Sequence, residues 1–117
     1  MQCFVPAALI LACGCGASQM CSNTVVSNVT NSSGTLQAVV FDRNCGATTT
    51  ESTQLSILKA GEKLPDAPGN ALVAKGSAHV AIEWVDTLRI RVVSPRVEFL
   101  RRETGVNGVT IDLIITE

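Results

Sequence analysis

The chain has 117 residues, enough for one small domain and not for two. A formal net charge of −1 gives no electrostatic case for a nucleic-acid partner. Three Phe, one Trp and no Tyr leave little for stacking on bases or sugars, so an aliphatic core is expected, and that composition suits strands.

The first charged side chain is Asp42. Ahead of it, Phe4-Val5-Pro6-Ala7-Ala8-Leu9-Ile10-Leu11-Ala12 forms an apolar run that ends on Cys13-Gly14-Cys15. The run is too short to span a bilayer but fits the apolar region of an export signal peptide. It lacks the basic residues that normally precede such a region, since Met1-Gln2-Cys3 has no Lys or Arg. Two readings compete: a leader truncated at its start, and a buried N-terminal strand or helix within a soluble cytoplasmic β domain whose N-terminus is not processed. Ile10-Leu11-Ala12-Cys13 resembles the lipobox of bacterial lipoproteins, whose cysteine is acylated and becomes the first mature residue. That resemblance implies a leader over 1–12, lipidation at Cys13 with Cys15 as the alternative, and a polar tether over 13–33. The chain would then face the periplasm from a lipid anchor in the cell envelope, or be secreted.

Of the five cysteines, only Cys21 and Cys45 accompany the part expected to fold. In an exported chain they most economically form one disulfide. Two other readings stay open: a metal site using Cys13-Gly14-Cys15, and a nucleophilic Cys45 paired with the single histidine, His79. The metal reading lacks a CxxC pair and a nearby histidine, so neither metal nor cofactor is expected. The nucleophile reading lacks an orienting third group.

From Ser22 to Thr35 the chain is rich in Ser, Thr, Asn and Val, with one short strand expected at Thr24 to Val29. Asn28-Val29-Thr30 and Asn31-Ser32-Ser33 match the glycosylation sequon, an incidental match in a bacterial lipoprotein. The folded domain is placed at 34–117. Strands are predicted over Leu36 to Arg43 and Ser52 to Lys59, and pairing apolar with apolar sets Phe41 opposite Leu55, Val39 opposite Ile57 and Asp42 opposite Gln54. The segment Ala60 to Asn70, with two prolines and two glycines, reads as an exposed loop before a short strand at Ala71 to Ala74. A three-residue loop, Val85-Asp86-Thr87, then sets Trp84 against Leu88, Ile82 against Ile90 and Glu83 against Arg89. A turn at Ser94-Pro95 matches Ile90 with Phe99 and Val92 with Val97. A loop at Glu103 to Asn107 matches Phe99 with Ile111 and Val97 with Leu113. The expected fold is all-β: a single small antiparallel meander, blade-like or a small sandwich, with Trp84, Ile90, Phe99 and Ile111 on one buried face.

The stretch Ala38 to Thr49, followed by Ser52 to Leu58 and Gly69-Asn70, resembles an uncharacterised family of small bacterial exported proteins. Members usually carry lipoprotein-type leaders and often occur on mobile gene cassettes. The resemblance implies the compartment and a paired Cys21. It implies no activity, because none is established for the family.

Five of the nine basic residues fall at Arg89, Arg91, Arg96, Arg101 and Arg102. With Arg102 joining Arg89 and Arg91 on a neighbouring strand, they would form a patch for anions or lipid headgroups. The alternative is an ordinary solvated face balanced by Glu83, Glu98 and Glu103. Thr48, Thr49, Thr50 and Ser52 make a hydroxyl-rich loop explained equally by turn preference. One small sheet with a single His offers little for an enzyme pocket. The expected role is a non-catalytic envelope protein that binds an unidentified protein partner, and the alternative is a small enzyme using Cys45 and His79.

Overall fold

A computed structural model describes residues 21–46 and 51–117 of the chain. Those residues contain no helix and nine strands: β1 (Ser22–Thr30), β2 (Leu36–Asn44), β3 (Ser52–Lys59), β4 (Leu72–Lys75), β5 (Ala81–Asp86), β6 (Arg89–Pro95), β7 (Phe99–Arg102), β8 (Gly105–Val106) and β9 (Val109–Thr116). The fold is all-β, as the aliphatic composition predicts. The strands make two sheets, ordered β1-β2-β3-β4-β7 and β5-β6-β9-β8. Val40 and Leu55 of the first sheet share one buried cluster with Ile90, Val92 and Ile111 of the second. The architecture is therefore a small sandwich closed on an aliphatic core.

Ser22–Thr30, placed in the polar tether by composition, is a nine-residue strand paired antiparallel with β2. The expected strand at Thr24 to Val29 lies within it.

The β2–β3 hairpin forms over the predicted residues, but its register is one residue off the expectation. Phe41 faces Gln54, Val40 faces Leu55 and Ala38 faces Ile57, while Asp42 faces Thr53. Pairing apolar with apolar failed here because both faces of β2 are apolar and both are buried. Val40 and Ala38 point into the sandwich, and Val39 and Phe41 point outward into a second cluster with Leu58. Leu64, from the loop expected to be only exposed, packs on that outer cluster. When neither face is polar, a one-residue slip leaves no wrong-face residue to veto it.

The β5–β6 hairpin keeps its predicted faces and changes its partners. Trp84 faces Ile90, Ile82 faces Val92 and Glu83 faces Arg91, with the register shifting between Trp84 and Asp86. A two-residue turn at Thr87-Leu88 alone would set Trp84 against an arginine. The bulge at Val85 adds one residue to one strand and restores apolar-to-apolar pairing. Asp86 fixes the turn by accepting the Leu88 N–H at 3.0 Å.

The remaining meander is not formed. After Pro95 the chain crosses to the first sheet, where β7 pairs with β4 and Phe99 faces Ala74. β9 returns parallel to β6, setting Ile90 beside Ile111 and Val92 beside Leu113. Neither the Ile90–Phe99 nor the Phe99–Ile111 pairing exists, and Val97 lies outside the strands. Face agreement is a test that parallel addition of β9 satisfies as well as antiparallel pairing with β7 does. Trp84 and Phe99 are nonetheless half-buried against the cluster holding Ile90 and Ile111, reached from two sheets instead of one.

Candidate functional site

β1 is held rigidly at both ends. At its start, Cys21 is disulfide-bonded to Cys45, which follows the last residue of β2. Next to it, Asn23 accepts from the Arg43 guanidinium at 2.8 Å and donates to the Pro65 carbonyl at 3.1 Å. At the far end, Asn31 is almost fully buried. Its Oδ1 accepts the backbone N–H groups of Thr35 and Leu36 at 3.0 and 3.1 Å, which shapes the turn into β2. Its Nδ2 donates to the Thr87 carbonyl at 2.9 Å, tying β1 to the β5–β6 turn. Between these ends, the Trp84 indole donates to the Val29 carbonyl at 2.9 Å. The far end of β1 is thus tied to β5 and the β5–β6 turn along one flank of the sandwich.

That flank carries most of the exposed large apolar surface. Val26 and Val29 of β1 are 58% and 39% exposed, and Val85 and Leu88 at the β5–β6 turn are 44% and 50%. Among the described residues, only Val25 on the outer face of the first sheet, Leu100 and Ile114 are comparable elsewhere. The four sheet edges differ sharply. β8 has two residues, β7 has four with Arg101 and Arg102, and β5 carries Glu83 and Asp86. These are the usual protections against edge-to-edge pairing. β1 has nine residues and no charge, and only a bulge near Val26 interrupts it. Its outward backbone groups are a template for strand addition.

At one end of this flank a cleft of about 300 Å³ is lined by Val26, Asp42, Thr53, Ser77 and His79 among others. Thr53 donates to Asp42 at 2.9 Å and accepts the Ala78 N–H at 2.9 Å, so the hydroxyl is committed to holding the segment before β5. Sequence reasoning did not join Asp42, Thr53 and Ser77 with His79. They come from three separate segments, and no spacing rule connects them.

Of the residues singled out in the sequence, Cys45 is a disulfide sulfur, which removes it as a thiol nucleophile. Cys13, Cys15, Thr48, Thr49 and Thr50 lie outside the described residues. Arg89 and Arg91 share the outer face of the second sheet. Arg89 binds Asp112 at 2.8 Å, and Arg91 binds Glu83 at 2.7 Å, where Arg89 was expected to pair with Glu83. The hydrogen bond to Asp112, and its charge, raise the Arg89 pKa further above its ordinary value. Arg102 does not join them. It lies on β7 in the other sheet, with its guanidinium 5.5 Å from the Phe99 ring centre. Paired with carboxylates, the two arginines present little unbalanced positive charge. Comparison with protein-family models, curated proteins and solved structures finds no match for this chain.

Proposed function

We propose that the protein is a non-catalytic, envelope-associated interaction protein, lipid-anchored or secreted, that engages a protein partner through strand addition at β1. The observation that carries this reading is a long, uncharged edge strand fixed at its base by a disulfide. A disulfide persists in oxidising compartments, in keeping with the apolar leader before Cys13. A strand pinned at both ends loses little conformational freedom when a partner docks, which favours binding.

Acyl labelling in the native host tests the location. Label should be incorporated by wild type, lost in Cys13→Ala and kept in Cys15→Ala, with the mature protein in the envelope fraction. A cytosolic species that retains Met1 to Ala12 overturns the proposal. Partner engagement is tested by placing a charge on the strand: Val26→Lys should abolish whatever association wild type shows, while Leu100→Lys, equally exposed on β7, should not.

A further inference from the structure

We infer that the occupant of the β1 edge is a second copy of this chain, added antiparallel across a two-fold axis. The inference rests on β1 being the working surface and goes on to name what covers it. Ser22 to Thr30 contain no ionisable side chain. A strand turned on itself by a two-fold axis meets only its own set of charges, so a strand whose charges share one sign repels its copy. β5 and β7 carry charges that penalise such self-pairing, and β1 does not. A charged partner segment would find no counter-charge in β1 to select it.

Among the described residues, four of the seven exposed large hydrophobics lie on this flank, at Val26, Val29, Val85 and Leu88. An isologous contact uses the same patch twice, so each valine set covers its counterpart and both copies lose apolar surface from one docking event. Joined at β1, the two five-stranded sheets become one continuous sheet. The geometry also bounds the strength. A nine-residue strand is about 30 Å long, and a flank of that length and two sheets deep sits near the low end of specific interfaces. The bulge near Val26 interrupts the ladder and weakens it further. The pairing is therefore a reversible one that concentration controls.

Sedimentation equilibrium of the full chain, run from about 1 to 200 µM, reads it directly, with a dissociation constant expected on the order of tens of micromolar. Val26→Lys, a change at an exposed site that leaves the core untouched, should weaken association at least ~10-fold, because two lysines would face each other near the axis. Leu100→Lys should leave it unchanged. Hydrogen exchange of the β1 amides should slow as concentration rises in wild type and stay fast in Val26→Lys. A dimer that ignores Val26→Lys overturns the inference by placing the contact elsewhere. A monomer at every concentration, whose β1 amides become protected only in envelope extract, overturns the second copy and leaves strand addition standing. Amides unprotected in both settings sink the inference together with the reading on which it rests.

Discussion

The two sheets use the same kinds of residue in different ways. β2 and β3 are buried on both faces, inward against the second sheet and outward under Leu64 and the 60–70 loop. β5 and β6 alternate between the core and solvent, with Glu83 and Arg91 paired outside and Ile90 and Val92 inside. Two-sided burial gives the first sheet more apolar contact per residue but removes the polar face that would define its register. One-sided burial leaves the second sheet easy to read and gives it a solvated surface. The difference also explains why the first sheet relies on side-chain hydrogen bonds for positioning. Asn70 both donates to and accepts from the Ile57 backbone, at 2.9 Å each way, as a strand residue would.

The largest test of two-sided burial is Phe41→Ala. Phe41 is fully buried in the outer cluster, which only a loop covers. If that cover is a true second core, the loss should be ~3–5 kcal/mol, as for other buried phenylalanines. Chemical denaturation decides it. A cost near that of a surface substitution would reduce the outer cluster to an exposed patch and return the first sheet to one-sided burial.

Removing the disulfide should rank next. Cys21 and Cys45 are separated by 24 positions, and a loop of this size is worth roughly 3 kcal/mol on the chain-entropy model. The double variant Cys21→Ser/Cys45→Ser should lose about that much, with β1 amides exchanging earlier than those of β6. Equal loosening of both sheets would show that the bond does not act locally on the first.

A third expectation concerns the close approach at Gly69. A methyl group there would lie 2.7 Å from the Leu55 carbonyl oxygen and 3.0 Å from that of Leu72, both backbone atoms that cannot swing aside. The Gly69 N–H also donates to Gln54 at 2.6 Å, so the segment has little room to retreat. Gly69→Ala should destabilise by ~1–3 kcal/mol, as overpacking does. A neutral result in thermal unfolding would mean that the loop covering the first sheet is looser than its contacts indicate.

Much of this was legible from sequence, and the failures share a cause. Alternation found β3 at its observed bounds, β2 to within one residue, and the inward faces of β5 and β6. Pairing of Cys21 with Cys45 followed from their being the only cysteines with the folded part. What alternation cannot read is which strand lies beside which. The parallel neighbour of β6, the transfer of β7 to the other sheet, and the bulge at Val85 all preserve the pattern of faces while changing every partner. The β1–β5 flank was invisible for the same reason. Val29 meets Trp84, and Asn31 meets Thr87, only after the sheets close.

That flank also carries a smaller prediction. Trp84→Phe keeps an aromatic ring against the core but deletes the indole donor to Val29, a polar tie between the two sheets, together with part of the packed ring area. A loss of about 1–2 kcal/mol is expected, the net worth of a typical hydrogen bond plus the lost ring burial. Hydrogen exchange should show it along β1 and β5 before it appears at β9. Uniform loosening would mean that the sheets are joined by the core alone.

The smallest effect should come from the solvated side. Arg96 pairs with Glu117, and its hydrogen bond holds the Glu117 carboxyl below its ordinary range. A carboxyl depressed on folding favours the folded state above its unfolded pKa, and that contribution fades as pH falls through the lowered folded value. The pair is fully exposed, so solvent and salt screen it and the contribution should be too small to measure. Stability profiles of wild type and Glu117→Gln should superimpose through the acid limb at physiological ionic strength. A separation there, growing at low salt, would show that this outer face bears more of the fold than its exposure allows, and the contrast between a deeply buried first sheet and a solvated second would need redrawing.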